Sequence, residues 1–244
     1  MTRVLVHGAG RMARRVAAVR ADFEGMELVG MVSRSAKVDD SGIEYFASLD
    51  DCETRVDLLI DFTLPGGTAD AASWCAAKGV ALVSGTTGLT GTDISALEIA
   101  ARVIPVLWAP NLSHGVALMT ALVRQAGSAM GGSAKVSIND IHHRHKLDSP
   151  SGTALALAVA VKEGRSAHIG KGEDVEPIFA SVREGEVVGE HTVSFVTDDE
   201  VIEITHKALE RDVFAKGALK AAQWLVNQQP GYYSTGDWLG LGSI

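Results

Sequence analysis

The sequence predicts an α/β protein, with a Rossmann-like parallel sheet domain followed by a second α+β domain whose sheet is mostly antiparallel. Three observations support this prediction. Short unbroken apolar runs alternate with helical segments in the first half, a glycine-rich turn follows the first run, and alternating polar and apolar residues appear later in the chain. Unbroken apolar runs are typical of strands that helices cover on both faces, as in a parallel sheet.

The first half of the chain predicts five strands separated by helices. The strands lie at residues 3–7, 27–32, 56–62, 80–85 and 104–110, and the helices at 11–21, 67–79 and 91–103. This alternation is typical of a doubly wound fold, which binds its ligands at the carboxyl edge of the sheet.

The pattern changes after Asn111. Further helices are predicted at 115–130, from about Gly152 onward and at 213–229, with a strand at 134–143. From residue 178 the alternation indicates antiparallel strands with one packed face, joined by turns at Gly185, Gly189 and 197–200. The chain therefore divides into a first domain, 1–113 completed by 213–244, and a second domain, 114–212.

Composition excludes several classes of function. The 244 residues are 46% hydrophobic and 21% charged, and the net charge is −8. Nucleic acids and anionic membrane surfaces attract basic proteins, so we expect neither as a partner. Two cysteines, Cys52 and Cys75, without a CxxC motif, favour a reducing compartment over a disulfide framework. No signal peptide or membrane span is recognisable, and we expect a cytoplasmic protein.

The segment HGAGRMA at 7–13 follows the first predicted strand and opens a helix, as a dinucleotide fingerprint requires. Gly8 allows a tight turn, Gly10 lets a pyrophosphate approach the backbone, and Ala13 lets helix and strand pack closely. A plain tight turn is the alternative.

The end of the second strand, where an acid commonly binds the adenosine ribose, has Ser33 and Arg34 instead. This predicts a preference for NADPH over NADH, because an arginine can pair with the 2′-phosphate; a solvated loop arginine is the alternative. The segments GTTG at 85–88 and APNLSHG at 109–115 follow predicted strands and suit the ribose or nicotinamide. Both could equally be simple turns.

The loop HHRHKLDSPSGTA at 142–154 concentrates histidine and lysine before a helix start. His142 and His145 have the spacing of zinc ligands, but no neighbouring Cys or paired carboxylate completes a set, and we expect no metal. A solvated basic face is a second reading. The third is an anion and proton-donor site: the N–H groups near Ser151 and Gly152, with Lys146 and a protonated His143, suit a substrate with two carboxylates.

These motifs resemble the 4-hydroxy-tetrahydrodipicolinate reductase family, whose members use NAD(P)H in diaminopimelate and lysine synthesis. The resemblance runs nearly end to end, through GRM at 10–12, DFT at 61–63, GTTG at 85–88, APNLS at 109–113, the loop at 142–154, GEHTVSF at 189–195, the segment 204–225 and the GYYSTGDWLGL tail. The histidine–lysine–SGT loop is the most specific of them.

The resemblance implies roles for particular residues. The acid/base histidine is His142 and the proton-donating lysine is Lys146, which also assists the residues that hold the substrate carboxylates: His143, Gly152 and Thr153. The implied cofactor contacts are Gly8, Ala9, Gly10, Arg11, Met12, Ser33, Arg34, Gly85, Thr86, Thr87, Ala109, Pro110, Asn111 and Leu112. The implied architecture is a Rossmann domain with a sheet domain, at 114–212, that binds the small dicarboxylate substrate and builds a homotetramer.

The chain departs from the family pattern G-x-x-G-R-M-G, since His7 and Ala13 replace its outer glycines, and Ser33 replaces the acid of the ribose site. Two other functions remain compatible with the motifs. A nicotinamide-binding sensor without turnover would lack reductase activity in an absorbance assay, and a metal-dependent hydrolase using the histidines would contain metal after purification.

Overall fold

The computed structural model describes residues 1–34, 42–168 and 176–241. These residues form two compact units, one of Met1–Ser113 with Asp212–Gly240, and one of His114–Arg211 with Leu241. The strands, in chain order, are β1 (Thr2–His7), β2 (Met26–Val32), β3 (Tyr45–Phe46), β4 (Leu58–Asp61), β5 (Ala81–Ser84), β6 (Pro105–Trp108), β7 (Lys135–His142), β8 (Ile178–Arg183), β9 (Gly189–Val196), β10 (Val201–Ala208) and β11 (Gly231–Tyr233). The α-helices are α1 (Arg11–Val19), α2 (Gly67–Lys78), α3 (Gly91–Ala100), α4 (His114–Met130), α5 (Gly152–His168), α6 (Asp212–Leu225) and α7 (Thr235–Trp238).

The first unit contains a seven-stranded sheet in the order β3-β2-β1-β4-β5-β6-β11, and every pair in it is parallel. Successive strand residues point to opposite faces: Val4 and Val6 join one apolar core with α1 and α6, whereas Leu5 joins the other with α2 and α3. Both faces are covered, which is why the strand sequences are unbroken apolar runs. The predicted Rossmann-like sheet is confirmed, with the strand order of the dinucleotide-binding folds.

Three short elements of this unit were not predicted. They are β3, β11 and α7, of two, three and four residues. Segments of this length contain only about one repeat of a helical or strand pattern, which is too little for periodicity to reveal them. The predicted last helix also ends earlier, at Leu225 instead of residue 229.

The second unit is a four-stranded sheet in the order β10-β9-β7-β8 with α4 and α5 packed together. The β7–β9 and β9–β10 pairs are antiparallel, which confirms the mostly antiparallel sheet, and the predicted turn at 197–200 joins β9 to β10. The strands on both sides of Gly185, β8 and β9, run in opposite directions, as predicted, but they do not pair with each other because β7 lies between them. The prediction of a turn at Gly189 is wrong, since this residue begins β9. β8 pairs with β7, in parallel, because β9 already has β7 and β10 as its neighbours.

The two faces of this second sheet differ. Val136, Ile138, Val193 and Phe195 are buried and pack with α4 and α5. The opposite face exposes Ile178, Val182, Val196 and Val201, at 69%, 41%, 37% and 57%. The predicted one-sided patterning is therefore present in the structure. None of the helices in the described ranges is long and apolar enough to cross a membrane.

Candidate active site

The turn after β1 is built for close approach of the backbone. Gly8 has a φ of +113°, and a Cβ atom there would lie 2.6 Å from the carbonyl oxygen of Phe62, so a side chain is excluded. Gly10 is the opposite case, since a Cβ would have no atom within 4 Å. The neighbouring α1 begins without a side-chain cap and without an acidic residue in its first turn. The open space and the free N–H groups fit the pyrophosphate of a dinucleotide.

The other residues of this turn differ in their contacts and exposure. Ala9 accepts a hydrogen bond from Nε of Arg14 through its carbonyl oxygen, at 3.1 Å. Arg11, the first helical residue, is exposed, and Met12 is half-buried against the apolar core.

Ser33 and Arg34 directly follow β2. The Ser33 backbone N–H donates to the carbonyl oxygen of Phe46 at 2.9 Å, which anchors the strand end. Arg34 is exposed and is the last described residue before residue 42. Its place at the carboxyl edge beside β1 is where a dinucleotide's adenosine ribose lies in such folds.

Asp61, at the end of β4, holds the neighbouring loops of the first unit together. Its carboxylate is fully buried, and its Oδ2 atom accepts hydrogen bonds from the hydroxyls of Thr68, Ser84 and Thr86, at 2.7, 2.8 and 3.0 Å. Its Oδ1 atom accepts from the Thr63 hydroxyl at 2.7 Å. The Thr86 hydroxyl therefore points inward and is used by the fold, so at the GTTG segment the backbone and the exposed Thr87 are what a cofactor can reach.

The segment after β6 also lies at the carboxyl edge of the parallel sheet. Ala109 and Leu112 are buried, whereas Pro110 is exposed and Asn111 is half-buried. The Asn111 side-chain oxygen accepts a hydrogen bond from the Ser113 N–H at 2.9 Å, which closes the turn before α4.

In the second unit, His142 is the last residue of β7 and is buried. Its Nδ1 atom lies 2.8 Å from Oδ1 of Asp140, a fully buried carboxylate two residues earlier on the same strand face. The other oxygen of Asp140 accepts from Nη2 of Arg183 at 2.9 Å and from the Ser151 N–H at 2.8 Å. The His191 ring packs against the His142 ring edge-on, with centroids 5.0 Å apart.

The pKa values of this cluster follow from burial and charge. Burial raises the pKa of Asp140, but the hydrogen bonds from Arg183 and Ser151 outweigh it and lower that pKa to about 2. Burial lowers the pKa of His142, and the Asp140 carboxylate only partly opposes this. Burial, together with the neighbouring His142, lowers the pKa of His191 to about 4. At neutral pH the cluster is therefore one ionised carboxylate facing two neutral imidazoles.

The lysine and the helix start converge on one carboxylate of the loop. Nζ of Lys146 lies 2.8 Å from Oδ1 of Asp148, and the Gly152 N–H also hydrogen-bonds the Asp148 carboxylate. The Ser151 hydroxyl accepts from the Ala154 N–H at 3.1 Å and so caps α5. The second residue of the helix, Thr153, is half-buried. Lys146 and the α5 N-terminus already bind a carboxylate together.

His143 and His145 follow β7 in the loop. The His143 N–H donates to the Val187 carbonyl oxygen at 2.7 Å, which fixes the loop to the connection between β8 and β9. Burial, Arg211 and His145 lower the pKa of His143. The sequence-based expectation of a protonated His143 is therefore not supported, and at neutral pH the ring is a neutral hydrogen-bonding group.

Asp140, His142 and His191 are the described residues that could approach a metal ion together, with one ligand atom each within 4.8 Å of the others. Of the pair His142 and His145, which the sequence brings to attention, only His142 belongs to this set. Arg183 already neutralises the Asp140 carboxylate from 2.9 Å, and a guanidinium beside a metal site repels the cation. The arrangement is better explained as a hydrogen-bonded charge cluster.

Sequence reasoning missed Asp140, Arg183 and His191 as members of the site. Asp140 carries a signal, since it lies two residues before His142 and so shares its strand face. Arg183 and His191 belong to strands whose pairing with β7 was unknown, and no local pattern brings them to His142.

A glycine turn that leaves a helix N-terminus open at the carboxyl edge of a Rossmann sheet defines the class: the first unit of this chain has the architecture of a dinucleotide-binding domain. Family models assign the chain more narrowly. The model of the dihydrodipicolinate reductase N-terminus matches residues 2–112, and that of the C-terminus matches residues 115–239. The chain therefore belongs to the dihydrodipicolinate reductase family.

Curated relatives agree over nearly the full length. A 4-hydroxy-tetrahydrodipicolinate reductase of Alkalilimnicola ehrlichii is 40% identical over 265 residues, covering 98% of this chain and 99% of the relative. One of Xanthomonas campestris pv. campestris is 42% identical over 240 residues and covers 96% of each. The chain is thus an NAD(P)H-dependent reductase of the lysine and diaminopimelate pathway.

Solved structures show the same fold. Dipicolinate-bound dihydrodipicolinate reductase from Paenisporosarcina sp. TG-14 has a TM-score of 0.79 at 24% identity, covering 96% of this chain and 97% of its own. An engineered D-amino acid dehydrogenase bound to NADP+ has a TM-score of 0.58 at 18% identity, covering 96% and 93%.

Proposed function

We propose that His142 and Lys146 carry the proton chemistry of 4-hydroxy-tetrahydrodipicolinate reduction, which yields tetrahydrodipicolinate. The observation that carries this proposal is the loop itself, in which Lys146 and the start of α5 already bind a carboxylate close in sequence to the buried His142. A bound nicotinamide supplies the hydride. The 4-hydroxyl group of the substrate leaves as water, and the hydride added to the unsaturated ring that remains requires one proton, which the Lys146 ammonium donates while His142 acts as acid and base.

The substrate carboxylates are held by His143, Lys146, Gly152 and Thr153 in this proposal. The Lys146 ammonium contributes charge, and the N–H groups of Gly152 and Thr153 belong to the first turn of α5, where the helix dipole favours anions. A substrate with two carboxylates fits such a receptor, and the dipicolinate in the Paenisporosarcina relative is a molecule of this kind.

The test is turnover in variants of the two groups. His142→Ala and Lys146→Ala should each lower kcat by about 10²–10⁴-fold, because a positioned acid or base acts in the transition state. Cofactor affinity, measured by fluorescence titration, should stay unchanged. Full kcat in His142→Ala, with only KM raised, would contradict the assigned roles and leave the reductase activity itself intact.

For the cofactor, we propose contacts at Gly8 to Met12, Ser33 and Arg34, Gly85 to Thr87 and Ala109 to Leu112, with NADPH preferred. These segments all follow strands of the parallel sheet at its carboxyl edge. The exposed Arg34 can pair with a 2′-phosphate, and a charge-assisted bond of this kind contributes about 1.5–3 kcal/mol before solvent losses. Arg34→Ala should raise the KM for NADPH and leave that for NADH unchanged. A preference for NADH that survives in Arg34→Ala would remove the argument.

We further propose a homotetramer built on the open face of the second sheet. Ile178, Val182, Val196 and Val201 expose apolar surface on that face, and closed symmetric assemblies commonly cover such surfaces. Light scattering should give a tetramer mass, and Val196→Asp with Val201→Asp should reduce it. A monomer at micromolar concentration would contradict the proposal.

The described cysteines, Cys52 and Cys75, are free thiols, which supports a cytoplasmic location.

A further inference from the structure

The Asp140 carboxylate lies directly behind the ring of His142. The two residues are two apart on β7, so their side chains point to the same face of the sheet. Oδ1 of Asp140 lies 2.8 Å from Nδ1 of His142, closer than its second imidazole neighbour, Nε2 of His191 at 3.4 Å, and neither Oδ1 of Asp140 nor Nδ1 of His142 has a hydrogen bond to any other described group. Each of the two atoms therefore has the other as its natural partner.

The surroundings of Asp140 keep it ionised. Its second oxygen accepts from the Arg183 guanidinium and from the backbone N–H of Ser151. These donors outweigh burial and hold the pKa of Asp140 at about 2, so the group is a carboxylate throughout the pH range in which enzymes of this kind work. An ionised carboxylate only accepts hydrogen bonds, and the nitrogen that faces it must carry the hydrogen.

We propose that Asp140 is a positioning residue for His142: it holds the proton of the neutral ring on Nδ1 and thereby makes Nε2 the atom that exchanges a proton. This inference rests on the role proposed above for His142. When the Nε2 atom gives its proton away, the ring returns to the neutral form with Nδ1 still protonated, and the negative charge of Asp140 stabilises the protonated ring in between.

The strand beside His142 supports the assignment of Nε2. Gly189, the first residue of β9, has no side chain, and a Cβ atom there would lie 3.0 Å from Nε2. A larger residue would crowd this nitrogen. Glycine therefore keeps Nε2 accessible on one side, while Asp140 occupies the Nδ1 side.

Asp140 also links the proton-exchanging ring to the substrate receptor. The N–H that it accepts belongs to Ser151, the capping residue of α5, and the next two residues are Gly152 and Thr153. One carboxylate thus fixes both the orientation of His142 and the start of the helix. A purely structural role would disturb both equally, so the test must separate ring chemistry from helix position.

Asp140→Asn is the main variant, because it keeps the shape and removes the charge. We expect kcat to fall about 10–100-fold, a part of what the His142 ring contributes, with the KM for the cofactor unchanged. The pH–kcat limb that reports His142 should move to lower pH, because the Asp140 charge raises the pKa of that ring. Glu163→Gln is the matched control, since it breaks a carboxylate–arginine pair of the same unit, with Arg124 at 2.8 Å, and should leave both readouts unchanged.

Two further measurements distinguish the failure of this inference from failure of the proposed function. In a His142→Ala background, adding Asp140→Asn should lower kcat by less than about twofold, because Asp140 acts through the ring. Nitrogen-15 NMR of His142 in the unmodified protein should show Nδ1 protonated and Nε2 unprotonated near pH 8, a readout that does not depend on whether the variant folds.

An NMR spectrum with the proton on Nε2 would overturn the inference. So would Asp140→Asn with wild-type kcat and pH profile, while His142→Ala is inactive. An equal loss from Asp140→Asn with and without His142 would show that Asp140 acts only on the fold. If instead His142→Ala kept full kcat, the catalytic role of His142 would fail, and the NMR result would still report on the tautomer.

Discussion

Asp61 in the first unit and Asp140 in the second are both completely buried carboxylates, and the two are satisfied in different ways. Asp61 accepts hydrogen bonds from the neutral hydroxyls of Thr63, Thr68, Ser84 and Thr86. Asp140 accepts from a full positive charge, Arg183, and faces the imidazole rings of His142 and His191.

The difference shows what the donors allow a buried charge to do. Hydroxyl dipoles stabilise the charge without titrating, so Asp61 is suited to tie the loops after β4 and β5 to one another at the sheet edge. Asp140 has its charge balanced by arginine and keeps one oxygen for a histidine, so it can govern a ring that gains and loses protons.

The largest effect on stability is expected from a substitution that disrupts the hydrogen bonds around Asp61. In Asp61→Asn an amide NH2 replaces an oxygen, and some hydroxyls lose their acceptor inside the core. We expect the free energy of unfolding to fall by about 3 kcal/mol or more in urea denaturation, with kcat of the folded protein nearly unchanged at saturating cofactor.

The control for that variant is Glu27→Gln, which removes a surface pair with Arg3 at 3.8 Å and should cost less than about 1 kcal/mol. If Asp61→Asn kept its stability and lost kcat, the contrast between the two carboxylates would be reversed.

The second prediction concerns the histidines beside Asp140 and the way that protein stability depends on pH. The pKa of His191 is about 4 in the folded chain, below its ordinary value of 6.5. Between these values the unfolded chain binds a proton that the folded chain does not, so stability falls as pH drops from 6.5 to 4, by about 3 kcal/mol for this group.

His191→Gln should flatten this part of the stability curve, measured by urea denaturation at successive pH values. It should not abolish the slope, because burial also lowers the pKa of His7, His142 and His206. Asp140 acts in a lower window, since its lowered pKa adds stability that is lost only as pH falls from about 4 to 2. An unchanged slope in His191→Gln would show that this ring is not the buried neutral group described.

The smallest effect separates substrate binding from proton exchange within the second unit. Thr153→Val should raise the KM for the substrate about tenfold and leave kcat unchanged, because a carboxylate contact acts equally in the ground state and the transition state. Thr120→Val is the matched control: its hydroxyl donates to the Val116 carbonyl oxygen within α4 at 2.9 Å. A fall in kcat in Thr153→Val would show that Thr153 takes part in the chemical step, as proposed for His142, and does not act on substrate binding alone.

The fold could be predicted from the sequence where apolar periodicity is long enough to read. The five strands β1, β2, β4, β5 and β6 and the six helices from α1 to α6 were recognised in this way, because strands covered on both faces and helices with an apolar side leave a repeating pattern. The parallel pairing of β7 with β8 could not be predicted. Alternation along a strand shows which face is buried but does not identify the strand that pairs with it.

The same limit applies to the site. His142 and Lys146 lie in one dense local motif that the sequence displays directly. Arg183 and His191 reach Asp140 only through strand pairing across 43 and 51 residues, and the inward orientation of the Thr86 hydroxyl depends on a carboxylate 25 residues away. Contacts of this separation are properties of the folded chain.

The Asp148 carboxylate, which contacts Lys146 and the N–H of Gly152, has a consequence for selectivity. Under the proposed roles it is a tethered competitor for the substrate, and the short stretch of chain that joins it to Lys146 gives it an effective concentration on the order of millimolar or above. A free anion with one carboxylate has to displace it at that concentration and gains nothing further. An anion with two carboxylates that also reaches Thr153 is bound at two points and can displace Asp148. Under the proposed roles, the loop therefore selects small acids with two carboxylates over those with one.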